Sequence, residues 1–264
     1  MKRLVLAACV TALAVCAQNA LTPEEKKQGW VLLFDGKSFA GWEDPSKKTP
    51  PGDAWTIEDG AIKTLRRAKI TEDLFTKRTF GDFELAFEWR ISQGGNSGIK
   101  YRIQHHLWLQ NTKPMERFES SVERSFGEPI SQRPANGQDY VIGFEYQMTD
   151  DTKNRDALSN PKHTAGALYD MVTPASAASK PAGEWNQGRI VVRGRHVEHW
   201  LNGVKVVDAS LDDPAVLEGV RRRWKDAPHV LDLLANQPKH DCPISLQNHG
   251  DDAWFRNIKV RTLK

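Results

Sequence analysis

The stretch FGDFELAFEWRIS, residues 80–92, decides the fold class of this chain. Phe83, Leu85, Phe87 and Trp89 fall on one side of an extended segment, and Glu84, Ala86, Glu88 and Arg90 on the other, because successive strand side chains point to opposite faces. Two more stretches repeat the pattern. GGNSGIKYRIQ (94–104) opposes Ile99, Tyr101 and Ile103 to Lys100 and Arg102, and YVIGFEYQMTDD (140–151) opposes Phe144, Tyr146 and Met148 to Gly143, Glu145 and Gln147. Strands that are apolar on one side and polar on the other predict antiparallel sheets packed face to face, with the polar sides meeting solvent or ligand.

Turn signals extend this reading along the chain. Asp59-Gly60 and Asn202-Gly203 are strong two-residue hairpin turns, and Gly194 with Arg193 or Arg195 makes a third. The segment PISLQNHGDDAWFRNIKVRTLK (243–264) reads as a closing hairpin. In it Ile244 and Leu246 oppose Ser245 and Gln247, residues 249–252 turn, and Trp254, Arg256, Ile258 and Val260 return with a less clean alternation. The count is about ten to twelve strands, at the spacing of a sandwich. Helices are few: Thr22 caps one at Pro23, Asp213 caps another running to about Trp224, and Val230 to Leu234 suggest a third. Residues 104–139 and 151–166 are too long for hairpin turns and read as rims over a binding face.

The 264 residues suit one large β domain, 28–264, behind a polar lead-in at 18–27. MKRLVLAACVTALAVCA (1–17) has the basic start, apolar run and small final residues of a secretory signal peptide, which predicts a secreted or periplasmic protein without a transmembrane segment. A lipid anchor on Cys16 or Cys9 is the weaker alternative, since Val15 suits a lipidated cysteine poorly and Cys9 leaves a short apolar run. Loss of the leader leaves Cys242 as the sole cysteine, so no internal disulfide forms. It also removes Lys2 and Arg3 and lowers the net charge of +3 by two. That balance argues against a nucleic-acid partner, and Arg221-Arg222-Arg223 reads as the solvated face of a helix.

Serine-hydrolase, phosphate-loop, dinucleotide and zinc-protease motifs are missing. His105 and His106 point opposite ways if extended and read as exposed loop residues. The chemistry available is the polar sheet face: Glu88, Arg90, Lys100, Arg102, Glu145 and Gln147, joined by Gln247 and His249. Carboxylates, amides and cations near Trp and Tyr suit sugar hydroxyls and pyranose faces. Trp200 serves equally as a stacking platform or a core residue, and Asp150 as a substrate ligand or a loop cap.

The blocks WVLLFDGKSFAGWE, FELAFEWRISQGGNSGIKYRI, GFEYQMTDD, TAGALYDM, EWNQGRIVVRGRHVEHWLNGVKVVD and ISLQNHGDDAWFRNIKVRTL, in this order over about 28–263, resemble the 3-keto-disaccharide hydrolase family. The resemblance implies an all-β, concanavalin A-like jelly-roll sandwich of two antiparallel sheets with minor helices. It implies cleavage of a glycoside already oxidised at C3 by a sugar 3-dehydrogenase: the ketone acidifies the C2 proton, a base removes it, and the C1 aglycone leaves. Carried onto this sequence, Glu145 is the base, His249 the proton donor or enolate partner and Glu88 the second carboxylate. Arg102 and Lys100 face the oxyanion, and Gln147, Gln247, Tyr169, Trp200 and Asp150 hold the sugar. A divalent metal at this face would aid enolate formation, although no ligand pattern marks one. A carbohydrate-binding module without catalysis and a conventional two-carboxylate glycosidase stay open beside this reading. The insertion at 104–139 sets this chain apart from simpler members.

Overall fold

The computed structural model describes residues 18–44, 54–66, 68, 70–110, 117–126 and 137–263. The leader reading for 1–17 and residues 111–116 and 127–136 of the 104–139 insertion lie outside these residues.

The chain forms two facing sheets and a few short helices. Eight strands make one sheet. In spatial order these are Val204–Ser210, His196–Leu201, Asn186–Arg193, Phe83–Ile91, Ala253–Thr262, Ala61–Thr64 and Trp55–Glu58, with Val31–Leu32 also pairing to Ala253–Thr262. The second sheet has six, in the order Trp42–Glu43, Leu74–Thr76, Ser245–Leu246, Asn96–Gln110, Gly137–Thr149 and Ile70–Thr71. All pairs are antiparallel except Ile70–Thr71, which runs parallel to Gly137–Thr149. The expected all-β sandwich of antiparallel sheets with minor helices is therefore what the chain builds.

The predicted apolar faces meet in the middle. Phe83, Leu85, Phe87 and Trp89 from one sheet and Ile99, Tyr101, Phe144, Tyr146 and Met148 from the other belong to one buried cluster. Phe87 meets Tyr146 edge to face at 5.3 Å, and the Phe83 ring lies 6.5 Å from Tyr101. Each such buried ring contributes about 1.5–3 kcal/mol through the area it removes from water. The turns follow their sequences: Asp59 and Gly60 have φ of 49° and 72°, and Asn202 and Gly203 of 49° and 83°, the left-handed pair that a tight hairpin needs.

Three expectations change. The Phe83–Ile91 strand lies in the eight-stranded sheet, while Asn96–Gln110 and Gly137–Thr149 lie in the other, so their polar sides face away from each other across the sandwich. The closing segment is not a hairpin: Ser245–Leu246 pairs with Phe75 and Lys100, whereas Ala253–Thr262 pairs with Phe83–Ile91 in the opposite sheet. Residues 247–252 thus cross between sheets. Part of the insertion continues the sandwich strands, which run to Gln110 and resume at Gly137, and the helix Phe118–Ser125 lies between them.

Candidate active site

A chamber of about 150 Å³ opens on the outer face of the six-stranded sheet. Its floor comes from two paired strands, in which Lys100 stands opposite Glu145 and Gly98 opposite Gln147. Side chains at 145 and 147 share a side by the strand's period of two, and Gln247 joins them from beside Gly98. The walls are Asp73, Asn248 and His249 at one end and Tyr169, Tyr140, Arg223 and Phe118 at the other.

Lys100 is the charge at the centre. Its Nζ lies 3.3 Å from Asp73 Oδ2, and the Gln247 amide links it to Glu145: the amide oxygen accepts from Lys100 Nζ at 3.3 Å and the nitrogen donates to Glu145 Oε1 at 3.3 Å. Asp73 also accepts from Ser245 Oγ at 3.2 Å and from the Asn248 amide at 3.3 Å, so its role is to hold the lysine. Loss of solvent raises the Glu145 pKa to about 7 despite the nearby Lys100 ammonium, and it raises Asp73 to about 6 against the same attraction. Lys100 is moved up: burial opposes its charge, but Asp73 and Glu145 outweigh it. A carboxyl that titrates near neutrality beside a permanent cation is equipped to take and return a proton.

The fold makes room for this carboxyl by omission. A Cβ on Gly98 would sit 2.3 Å from Glu145 Oε1 and 2.8 Å from its Cδ, so Glu145 lies across the one position of the neighbouring strand without a side chain. Beside it, Gln147 Nε2 donates to Asn96 Oδ1 at 3.2 Å, while the buried Gln147 Oε1 has no partner among the described residues and can accept from a ligand hydroxyl.

A network behind Tyr169 fixes the far wall. The Tyr169 hydroxyl donates to Asp156 Oδ2 at 2.9 Å, and Arg223 pairs with Asp170 Oδ2 at 3.2 Å, its guanidinium 4.9 Å from the Tyr169 ring. His163 bridges the two carboxylates at 2.8 and 3.3 Å. Burial lowers its pKa, but hydrogen bonds to Asp156 and Asp170 carry it up to about 9, so the ring is a cation at neutral pH. Asp170 has a φ of 62°, a conformation rare outside glycine, and the strain buys its position between His163 and Arg223.

The sequence-predicted residues divide accordingly. Glu145, Lys100, Gln147, Gln247, Tyr169 and His249 line this chamber together. His249 stands at the rim with part of its surface open to solvent, while its ring faces the chamber, where desolvation first and then the Lys100 charge lower its pKa and favour the neutral form. Neutral imidazole suits a hydrogen bond to a developing oxyanion better than proton donation from an imidazolium. Glu88 and Trp200 lie on the outer face of the other sheet, because their strands, Phe83–Ile91 and His196–Leu201, both belong to it. There Glu88 pairs with Arg256 Nε at 2.7 Å and Trp200 packs under Arg189 at 4.3 Å, while His199 rather than Trp200 enters the core and meets the Tyr101 hydroxyl at 2.8 Å. Arg90 shares that outer face and stacks on Trp254 at 4.2 Å. Arg102 is a clip between loops: at a break in strand register, with φ 50°, its guanidinium donates to His240 O, to Gly194 O at 2.7 Å and to Asp82 Oδ1 at 3.2 Å. Asp150 caps a loop, accepting from the Gly94 amide at 2.8 Å and from Thr152.

Several chamber residues, Phe118 and Asn248 among them, lie outside the set expected from the sequence, and four carry a charge or a phenolic hydroxyl. Asp73 and Asp139 carry no local motif. Tyr140 stands where the polar pattern lapses, and Arg223 belongs to a run that reads as a solvated helix face: Arg221 does pair with Glu218 at the surface, but Arg223 turns inward. His105 and His106 are strand residues, not loop ones, His106 bonding Asp139 at 3.2 Å and His105 stacking on Phe126. Among the described residues, His196, Glu198 and Asp208 place ligand-type atoms within 4.8 Å of one another, but they lie in the eight-stranded sheet and Lys205 pairs with both carboxylates.

A family model described as the 3-keto-alpha-glucoside-1,2-lyase-like domain matches residues 29–261. The chain belongs to this family. A 3-keto-disaccharide hydrolase of Bacteroides thetaiotaomicron is 32% identical over 253 residues, covering 89% of this chain and 79% of the relative. A crystal structure from Parabacteroides distasonis, provisionally designated a glycosyl hydrolase, aligns with a TM-score of 0.68 and 26% identity over 94% of this chain and 100% of that one. A second from the same organism, with a TM-score of 0.58 and 23% identity over 89% and 99%, shares the fold of this keto-glucoside lyase-like domain.

Proposed function

We propose that the chain is a hydrolase of 3-keto-glycosides that works by elimination and hydration. The observation that carries this is Glu145, a carboxyl desolvated to a pKa of about 7 beside the Lys100 ammonium. Glu145 takes the C2 proton, and Lys100 with the neutral His249 ring faces the charge that develops on the C3 oxygen. The C1–oxygen bond then breaks, its electron pair leaving with the aglycone. A single water closes the balance: its proton goes to the departing oxygen, its hydroxide adds at C1, and the proton on Glu145 returns to C2. Gln147 and Gln247 hold hydroxyls, and Tyr169 with Arg223 bounds the ring.

A conventional glycosidase would need a second free carboxyl across the scissile bond. Here Glu88 is engaged by Arg256 on the far sheet and Asp73 by Lys100, Ser245 and Asn248. The leader pattern supports export, and the substrate implies a sugar 3-dehydrogenase acting upstream.

The test is aglycone release from a chromogenic 3-keto-glucoside beside its unoxidised parent. Cleavage of the keto substrate alone, with Glu145→Gln reducing it at least about a thousandfold, is the expected result. Equal cleavage of the parent would point to a conventional glycosidase. Binding without cleavage of either would point to a sugar-binding module.

A further inference from the structure

The chamber is too small for a whole glycoside. At about 150 Å³ it falls below the ~300–1,000 Å³ of pockets that enclose larger ligands, so it takes one sugar ring and leaves the aglycone outside. What stands at the mouth is Phe118. Among the described residues four large apolar side chains are exposed, and Phe118, at 37%, is the only aromatic one.

Its placement continues the chamber outward. Tyr140 lies within 5.5 Å of Lys100 Nζ, and Phe118 meets Tyr140 edge to face at 5.0 Å, with Trp224 behind both at 6.4 and 6.0 Å. The path from reacting charge to exposed ring is therefore a chain of contacts. The ring is also held firmly. Val122 anchors its helix in the core, Arg117 pairs with Asp226 at 3.0 Å, Glu123 accepts from the His229 amide at 3.1 Å, and Phe126 stacks between His105 and His229. An apolar ring fixed to this degree at the lip of a polar chamber is preorganised for a flat partner.

We propose that Phe118, braced by Tyr140 and Trp224, is the platform for the leaving group, and that the preferred substrates are 3-keto-glycosides whose aglycone is itself a ring with a flat apolar face. This rests on the keto-glycoside reading above. Phe118→Ala and Phe118→Trp are compared with the parent on three 3-keto-glucosides, carrying a second pyranose, an aryl group or a methyl group as aglycone. Phe118→Ala is expected to lower kcat/KM about tenfold or more on one or both ring aglycones and less than about twofold on the methyl glycoside, with Phe118→Trp restoring the loss. The ring aglycone that shows the loss identifies the natural class. Equal loss on all three substrates, or no loss on any, overturns the platform. If the parent cleaves none of the three, the keto-glycoside reading itself fails. Phe118→Trp is expected to keep the parent's thermal melt, while Phe118→Ala, which gives up the contacts with Tyr140 and Trp224, is expected to melt a few degrees lower yet remain folded at the assay temperature.

Discussion

On the proposed mechanism, Glu145 ties catalysis to a stability penalty. Its pKa is about 7 in the folded protein against an ordinary 4.5, so the native state keeps a proton that the unfolded chain has released. By linkage its contribution to stability is intact below about pH 4.5, falls as pH rises, and is lost above about 7. Glu145→Gln removes the cost of burying this charge, so at about pH 8 the variant should melt above the parent, and the gap should narrow toward about pH 5. Over the same range the parent's kcat/KM should rise up to tenfold per pH unit and level off above about 7. A profile flat from about pH 5.5 to 8.5 would exclude Glu145 as the base. The alternation around Glu145 revealed that this residue faces away from the core. It could not reveal Asp73, whose partner Lys100 lies 27 positions away and is reached only through sheet pairing.

At the scale of elements, the site depends on which strand lies beside which. Gly98 is the sharpest case, since the space it leaves is filled by a side chain from the neighbouring strand. Gly98→Ala should push the Glu145 carboxyl aside and lower kcat by roughly a hundredfold with little change in KM, the cost of about 1 Å of misplacement. Wild-type kcat in that variant would refute the argument. A period of two tells which side of its own strand a residue occupies, but not the sheet to which the strand belongs. That is why alternation alone gives the faces of Phe83–Ile91 and Gly137–Thr149 but puts Glu88 and Glu145 on one surface, when they lie on opposite sheets. The uneven alternation after Trp254 likewise had a cause invisible in pattern alone: Asn257, at φ 51°, interrupts the register between Arg256 and Lys259 and brings Ile258 and Val260 back into the core.

For the whole molecule, the two outer faces are unequal in role. Phe87 lies between the sheets, against Tyr146 and over Gly188, whose missing Cβ would come 2.3 Å from its ring. Phe87→Ala should cost about 3–5 kcal/mol in denaturant unfolding, whereas Trp200→Ala on the far outer face should cost less than about 1 kcal/mol and leave kcat/KM unchanged. A loss of turnover in the Trp200 variant would return that face to consideration as part of the site. The sandwich itself was legible because buried faces and turn residues are local properties. The crossing at 247–252 was not: a turn-rich stretch between two strand-like segments has the same appearance whether the chain pairs with itself or passes from one sheet to the other.

The desolvated carboxyl has an evolutionary consequence. Selection for stability alone would replace Glu145 by an amide, leaving Gln147, Gln247 and the aromatic wall able to hold a sugar. With the roles proposed above, a sandwich of this design stands one side chain from a pure sugar-binding protein, and of the two the sturdier would be the one that had lost its chemistry.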